Sequence, residues 1–186
     1  MRIALFGGSF NPIHNGHLKI ASELIEKKIA NKVWFIPCGN HAFGKELASG
    51  KDRINMLNLA IKNNSKLKVI DIEVKSNKKS FTANTIRLLR KKFPYEFYFV
   101  IGADNLKEFD KWYNIQYLQN SVEFILIKRP EYSIPKKIKL KILRTVSLKL
   151  SESSTEIRKL IKDKKSILKF VPKAVAEYIH MGGLYQ

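Results

Sequence analysis

Short apolar runs alternate along the chain with longer segments in which apolar residues recur at helical spacing. Five runs are nearly continuous in apolar character and are predicted strands, at residues 3–6, 33–36, 67–72, 97–101 and 122–127, and a short sixth strand is a candidate at 145–148. Helical spacing predicts helices at residues 17–26, 53–61 and 82–89. Strands of this kind, separated by helices, favour an α/β fold with a doubly wound parallel sheet covered on both faces.

The end of the chain lacks this alternation. Two helices are predicted at residues 154–161 and 173–179, with no strand between them. We therefore expect one domain over residues 1–186, in which residues 150–186 form a small C-terminal helical appendage. Ligands of doubly wound folds bind beyond the carboxyl ends of the strands, where the strand order reverses, so the segments that follow predicted strands are candidate sites.

Composition excludes several classes of protein. A chain of 186 residues that is 45% hydrophobic can bury a substantial core. Its single cysteine, Cys38, excludes an internal disulfide and a cysteine-based zinc cluster. No apolar stretch approaches the roughly 20 residues that span a bilayer, and no signal-peptide pattern opens the chain. We expect a cytoplasmic protein with no membrane partner.

The charge of the chain is strongly positive. Lysine and arginine number 35 against 16 acidic residues, which gives a formal net charge of +19. Such a charge attracts anions of many kinds, including nucleic acid and phosphorylated metabolites. The lysines are spread along the chain without interleaved aromatic residues, which favours a solvated surface and no specific nucleic-acid partner. A basic nucleic-acid-binding module stays the alternative from a different functional class.

The segment between the first predicted strand and the first helix is rich in glycine and histidine. Residues 6–20 read FGGSFNPIHNGHLKI. Their spacing differs from the dinucleotide-binding fingerprint, the P-loop and the serine nucleophile elbow. Glycines nevertheless let the backbone approach a ligand closely, and a helix N-terminus offers free N–H groups to an anion. The segment therefore favours a phosphate-binding site.

Two histidines of this segment are candidate catalytic groups. His14 and His17 are three residues apart at a helix start, so their side chains can face the same side, and Gly16 leaves the approach between them open. Two imidazoles there could donate hydrogen bonds to an anion and to the charge that develops as it reacts. The alternative is that they only cap the helix, and we expect His17 to carry little packing. Zinc is not expected, because no third ligand is near in the sequence.

Residues 7–18 resemble the G-G-[ST]-F-[DN]-P-x-H-x-G-H-L signature of the nucleotidyltransferase α/β-phosphodiesterase superfamily, and are most similar to bacterial-type nicotinate-nucleotide adenylyltransferases. Later segments match further motifs of that family in order: R-x-x-M-L-x-x-A at 53–60, S-Y-T-x-D-T at 80–85, I-G-A-D at 101–104, R-P at 129–130 and S-S-T-x-I-R at 153–158. The resemblance covers nearly the whole chain and implies a Rossmann-like fold.

The resemblance also implies an activity and the residues that carry it. The activity is adenylyl transfer from ATP to nicotinate mononucleotide, which forms nicotinate adenine dinucleotide and pyrophosphate in NAD biosynthesis. ATP carries Mg²⁺, no resident metal is implied, and a homo-oligomer is left open. The implied catalytic residues are His14 and His17. The implied ATP contacts are Gly8, Ser9, Phe10, His14, His17, Gly102, Asp104, Ser153, Ser154, Thr155, Ile157 and Arg158. The implied contacts to the pyridine nucleotide are Lys45, Thr82, Thr85, Trp112 and Arg129.

Several of these residues have a structural alternative. Ser153 and Glu156 have the spacing of a capping box, which by itself would only start a helix. Trp112 suits a hydrophobic core as well as a platform for a pyridine ring. Asp104 could cap a helix that follows the fourth strand.

The match to the family is weakest around the pyridine nucleotide. Of the usual P-P-H-K after the second strand only Lys45 remains, within a divergent segment at residues 38–50. Phe81 replaces the usual tyrosine and Asn84 the usual aspartate of the S-Y-T-x-D-T turn. Nicotinamide mononucleotide therefore stays the alternative acceptor.

Overall fold

A six-stranded parallel sheet forms the centre of the computed structural model, which describes residues 1–39, 47–76, 79–128 and 140–186. The strands of this described part are β1 (Arg2–Gly8), β2 (Lys32–Pro37), β3 (Leu67–Val69), β4 (Glu96–Gly102), β5 (Glu123–Lys128) and β6 (Ile142–Ser147). Their order across the sheet is β3-β2-β1-β4-β5-β6, and every neighbouring pair is parallel. The predicted doubly wound, Rossmann-like α/β fold is confirmed.

Helices connect these strands and close the chain. The α-helices are α1 (Asn15–Glu26), α2 (Gly50–Ile61), α3 (Thr82–Lys92), α4 (Ile115–Ser121), α5 (Ser154–Lys162) and α6 (Lys173–Met181). A 3₁₀ helix, Ala103–Lys111, follows β4. The sequence analysis missed this helix and α4. The 3₁₀ helix buries Leu106 and Phe109, which are three residues apart, and this spacing differs from the α-helical repeat used for the predictions.

The two faces of the sheet carry two separate hydrophobic clusters. Along β1, Ala4 and Phe6 belong to one cluster and Ile3 and Leu5 to the other, as the alternation of side chains on a strand requires. The first cluster includes buried residues of α1, α2, α5 and α6. The second includes buried residues of α3, α4 and the 3₁₀ helix. Helices therefore cover both faces.

The C-terminal helices share the core of the sheet. Ile157 of α5 and Val175 and Ile179 of α6 are at most 2% exposed and lie in the same cluster as α1 and α2. The predicted appendage thus completes one of the two helical layers. The division of residues 1–186 as a single domain stays a prediction, and this shared core supports it.

The edge strands differ most from their predicted bounds. β3 ends at Val69, three residues earlier than predicted, although the Ile70 N–H still donates to the Phe35 carbonyl at 2.8 Å. The chain then turns away from the sheet, and the Lys75 N–H donates to the Asp71 carbonyl at 2.9 Å. β6 begins at Ile142, earlier than the predicted residue 145, because its exposed edge positions weaken the apolar pattern.

The strand order reverses between β1 and β4. β1 is followed by α1 on one face of the sheet, and β4 by the 3₁₀ helix on the other. The crevice between these two connections is where doubly wound folds bind ligands. It lies at Gly8 and Gly102, the last residues of β1 and β4. No helix in the described ranges is long and apolar enough to cross a membrane.

Candidate active site

The turn after β1 is shaped by a phenylalanine that folds back beneath it. Phe10 has a left-handed backbone conformation, with a φ of 46°, and its side chain is 1% exposed. A Cβ atom on Gly8 would lie 3.0 Å from the Phe10 ring, so any larger residue at position 8 would crowd the ring. The Asn11-Pro12 peptide bond that follows is cis. The buried Phe10 ring therefore packs directly against the backbone at Gly8.

Three side chains hold the carbonyl groups of this turn. Arg53 of α2 donates to the Ser9 carbonyl at 2.9 Å. From α5, Arg158 donates to the Asn11 carbonyl at 2.8 Å and the Ser154 hydroxyl to the Pro12 carbonyl at 2.9 Å. A carbonyl and the N–H of the next residue point in opposite directions across a trans peptide. The N–H groups that follow Ser9 and Pro12 therefore point away from these donors.

The two histidines lie side by side at the start of α1, as predicted. His14 is the N-cap residue and is 3% exposed, and its ring centroid lies 3.7 Å from that of His17. The His14 N–H donates to Nδ1 of His17 at 3.3 Å. Because Nδ1 accepts this hydrogen bond, the neutral His17 ring carries its proton on Nε2. His17 thus accepts the His14 N–H at the helix start and can also donate through Nε2. The capping role and the donor role, which the sequence analysis treated as alternatives, are compatible.

His17 carries more packing than we expected. Its ring meets those of Phe10 and Phe6 edge to face, with centroid distances of 5.0 and 5.8 Å. The expectation of little packing was wrong, because the buried turn brings Phe10 against the helix start. Gly16 also has a role that the sequence analysis did not give it: a Cβ there would lie 3.1 Å from Nδ1 of His14, so the glycine makes room for the His14 ring.

The side chain of Asn11 joins the turn to two distant parts of the chain. Asn11 is 3% exposed, and its Oδ1 accepts the Ala48 N–H at 3.0 Å and the Tyr185 hydroxyl at 2.8 Å. Burial raises the pKa of the Tyr185 phenol, which the guanidinium groups of Arg158 and Arg53 only partly offset, so the phenol stays a donor. The sequence analysis missed Asn11 and Tyr185 as site residues, since nothing local indicates that the end of the chain returns to the first turn.

The start of α5 lies against this turn and brings two predicted ATP-binding motifs together. Ser153 is the N-cap residue, and its hydroxyl accepts the Glu156 N–H at 3.1 Å, which confirms the helix start expected from the capping box. Ser154 and Arg158 are engaged with the turn, as described above. Thr155 is exposed, and its Oγ1 lies 3.4 Å from the Arg158 guanidinium.

Ile157 differs from the other residues of its motif. Its side chain is 1% exposed in the core, and its N–H donates to the Ser153 carbonyl at 3.0 Å within the helix. The described position is that of a packing residue, so its implied contact with ATP stays a prediction. On the other side of the crevice, Gly102 ends β4, and Asp104 is exposed in the first turn of the 3₁₀ helix.

One predicted pyridine-nucleotide residue, Thr85, is held by a partly buried carboxyl group, that of Glu73, which the sequence analysis missed. Thr82 is the first residue of α3, and the Thr85 hydroxyl donates to Glu73 at 2.5 Å. The Ser80 hydroxyl also bonds the Glu73 carboxyl and accepts the Gly39 N–H at 2.7 Å. Burial raises the pKa of Glu73, against the lowering effect of the hydrogen bonds from Thr85 and Ser80. Thr85 is only 5% exposed, so its hydroxyl orients the turn beside the crevice.

Aromatic rings line the same side. Trp112 is half-buried and packs on Phe109 and Phe99, with centroid distances of 5.2 and 6.0 Å. Tyr113 is half-exposed and lies 4.7 Å from the Phe81 ring at 32°. The sequence analysis did not select this second pair, although Tyr113 is adjacent to Trp112. Lys45 and Arg129 lie outside the described residues.

The described residues include no group of three or more His, Cys, Asp or Glu side chains that could hold a metal ion. The described turn supplies N–H groups and imidazoles, which bind anions, so its chemistry fits a phosphate group together with any metal ion that the phosphate carries.

Comparisons with known proteins agree with this geometry. The model of the cytidylyltransferase-like family matches residues 5–160. The nicotinate-nucleotide adenylyltransferase of Bacillus subtilis is 33% identical over 188 residues, which cover 100% of this chain and 98% of that protein. A probable nicotinate-nucleotide adenylyltransferase of Halalkalibacterium halodurans is 37% identical over 189 residues, which cover 100% of this chain and 91% of that protein.

Solved structures show the same fold. The nicotinic acid mononucleotide adenylyltransferase of Plasmodium falciparum, complexed with NaAD, has a TM-score of 0.83 to this chain and is 24% identical. The match covers 99% of this chain and 97% of that one. The same enzyme complexed with APC has a TM-score of 0.79.

Proposed function

The chain belongs to the nicotinate-nucleotide adenylyltransferase family of nucleotidyltransferases, and from this premise we propose that it transfers the adenylyl group of ATP to nicotinate mononucleotide. One observation carries the proposal: the paired rings of His14 and His17, the turn after β1 and the start of α5 meet at the carboxyl end of β1. Such a cluster of imidazoles and backbone N–H groups suits a polyphosphate.

The reaction requires positioning more than a side-chain nucleophile. An oxygen of the acceptor's 5′-phosphate bonds to the α-phosphorus of ATP, while the bond from that phosphorus to the oxygen bridging the α- and β-phosphates breaks. Pyrophosphate leaves with the electron pair of that bond. Enzymes of this kind use ATP with a divalent metal, and we propose Mg²⁺ bound to the phosphates as part of the substrate.

The chain's own residues would bind and orient the phosphates. Nε2–H of His17 donates to the transferring phosphoryl group, and the packed Phe6 and Phe10 rings keep water from that side of the imidazole. His14, buried against His17, fixes the ring and adds a second imidazole. The turn at residues 8–10 offers N–H groups, and Thr155 lies at the exposed start of α5 for the distal phosphates.

The acceptor ring would lie on the opposite wall of the crevice. Trp112 supplies a half-buried aromatic surface, and Thr82 and the Glu73–Thr85 pair orient the turn at the start of α3. Lys45 and Arg129 stay candidate contacts to the pyridine nucleotide. The choice of nicotinate as the base of the acceptor comes from the family relation alone.

The test is pyrophosphate release from ATP and Mg²⁺ with each of three acceptors: nicotinate mononucleotide, nicotinamide mononucleotide and nicotinate riboside. We expect the nicotinate form to be preferred and the riboside, which lacks the attacking phosphate, to be inactive. Equal or better turnover of the nicotinamide form would contradict the preference, and no turnover of either mononucleotide would contradict the function. A cytoplasmic location stays a prediction, and a homo-oligomer stays open.

A further inference from the structure

Arg53 is a charged residue that lies almost completely inside the protein. It is 2% exposed and projects from the first turn of α2 toward the turn after β1. Its Nε donates to the Ala48 carbonyl at 3.0 Å, and one terminal nitrogen donates to the Ser9 carbonyl at 2.9 Å. The same nitrogen lies 3.9 Å from Sγ of Cys38. Each of these contacts is to a neutral group.

The described residues supply no carboxylate to this guanidinium. The ion pairs of the described part all join a lysine to an acid, and Arg53 takes part in none of them. The carboxylate of Asp52, its neighbour in sequence, instead accepts hydrogen bonds from the hydroxyls of Ser49 and Tyr178. Arginine cannot shed its proton in a protein, and buried charges are normally paired. A buried guanidinium that has no counter-ion among residues 1–39, 47–76, 79–128 and 140–186 therefore indicates that an anion binds close to it.

The backbone contact of Arg53 indicates which anion this is. Arg53 holds the Ser9 carbonyl, so the N–H on the far side of the same peptide points away from the guanidinium, toward the face proposed to bind phosphates. An anion bound there lies one peptide unit from the buried charge. The low polarity of the surroundings leaves their attraction poorly screened.

We propose that the buried positive charge of Arg53 is a component of the phosphate-binding site and that the polyphosphate of the nucleotide substrate is its counter-ion. Arg53 acts through the Ser9 peptide without touching the ligand, and is a positioning and electrostatic residue. The inference rests on the proposed function and adds to it a residue that lies behind the turn. The competing account is that Arg53 only anchors the two carbonyls.

Two substitutions separate the charge of Arg53 from its hydrogen bonds. Arg53→Lys keeps the charge but loses the fork of donors, whereas Arg53→Gln keeps an amide donor and loses the charge. Tyr178→Phe is the matched control, because it removes a hydroxyl that bonds Asp52 and Asn55 on the same helix and lies apart from the turn. Calorimetric titration with inorganic pyrophosphate measures the anion affinity of each folded variant, and circular dichroism reports folding.

We expect Arg53→Gln to weaken pyrophosphate binding on the order of 10- to 100-fold, the range for one charge at about 8 Å in a partly screened site. Arg53→Lys and Tyr178→Phe should stay within about threefold of the wild type. Wild-type affinity in Arg53→Gln would overturn the inference, and so would an Arg53→Lys variant that folds and binds as weakly as expected of Arg53→Gln. If Arg53→Gln does not fold, Arg53→Lys alone decides, because it keeps the charge and loses the fork of donors.

A second arm distinguishes the two sources of phosphate. Nicotinate mononucleotide carries one phosphate, and its affinity should change much less than that of pyrophosphate in Arg53→Gln. A larger loss for the mononucleotide would overturn the assignment to the polyphosphate. If wild-type protein binds neither compound, the proposed function itself fails, whereas binding that is unaffected by the loss of charge contradicts only the role of Arg53.

Discussion

Asparagine and glutamine substitutions at His17 separate the two nitrogen atoms of its imidazole ring. The asparagine oxygen comes near the position of Nδ1 and can still accept the His14 N–H, which lies 3.3 Å from Nδ1 in the structure. It leaves nothing at the position of Nε2. Glutamine does the reverse: its amide nitrogen reaches toward Nε2, and the His14 N–H loses its acceptor. Asn therefore tests the proposed donor, and Gln tests the cap.

The structure sets the size of each effect. The edge-to-face contacts of His17 with Phe6 and Phe10 are each worth about 0.5–1.5 kcal/mol, and the hydrogen bond from His14 is worth a similar amount. Alanine would lose all three and could destabilise the turn itself, which makes it a poor test. A preorganised donor to charge that develops in the transition state is worth about 3–4 kcal/mol, or roughly 10²–10³ in rate.

We expect His17→Asn to lower kcat by roughly 10²–10³, with KM for both substrates within a few-fold of the wild type, because the donor acts mainly in the transition state. His17→Gln should keep a larger kcat than His17→Asn and melt at a lower temperature, since it restores a donor and removes the cap. Steady-state pyrophosphate release measures the rates, and thermal melts followed by circular dichroism measure the stability.

Two results would refute this reasoning. An Asn variant with more than about a third of wild-type kcat would show that His17 only caps the helix. A Gln variant that is no faster than the Asn variant, with both folded, would show that a donor at the position of Nε2 does not assist the reaction. In either case, we would assign stabilisation of the transition state to His14 or to the backbone N–H groups of the turn and not to His17.

Three further predictions concern the supports of the site and the net charge. Glu73→Gln should raise the melting temperature at pH 7–8 by a few degrees, because burial raises the pKa of Glu73 in the folded state and ionisation of this carboxyl therefore opposes folding above that pKa. The gain should vanish below the pKa that Glu73 has in the unfolded chain. A lower melting temperature of Glu73→Gln at neutral pH would contradict this prediction. Tyr185→Phe should cost about 1 kcal/mol of stability and lower kcat several-fold, since Asn11 loses a hydrogen bond. Tyr178→Phe should lose similar stability but keep its kcat. Equal kcat values for the two variants would contradict a role of Tyr185 in positioning the turn. Binding to duplex DNA in a fluorescence titration should be weak and independent of sequence and should fade steeply with salt, and submicromolar selective binding at physiological salt would favour the nucleic-acid alternative.

The fold was predictable from sequence because its signal is local. Each central strand is a nearly continuous apolar run, since a strand in a parallel sheet is buried on both faces. The exceptions are the places where burial is partial or the period changes. β3 and β6 lie at the edges, where fewer positions need to be apolar, and the 3₁₀ helix Ala103–Lys111 buries residues three apart.

The position of the site was predictable for a related reason. The segment after β1 carries its glycines and histidines within a few residues, so the predicted proximity of His14 and His17 depends only on helix geometry and is confirmed. Its supports depend on tertiary contacts instead. Asn11 bonds Tyr185 across 174 positions of sequence, and Glu73 accepts the Thr85 hydroxyl from a helix that starts nine residues later. No local pattern encodes such contacts.

Arg158 shows why a motif does not fix what its residues do. Its place at the start of a helix with two hydroxyls favours a phosphate ligand, yet its guanidinium donates to the Asn11 carbonyl, and Arg53 donates to the Ser9 carbonyl two residues earlier. Both arginines bond carbonyl groups of the turn, and the peptide that Arg53 holds presents the Phe10 N–H to the opposite side, whereas the residue after Asn11 is Pro12, which has no N–H. A polyphosphate would then meet backbone N–H groups with positive charge behind them. This arrangement is rigid, because each arginine is fixed by the peptide that it orients, whereas a flexible side chain would have to be ordered by the ligand.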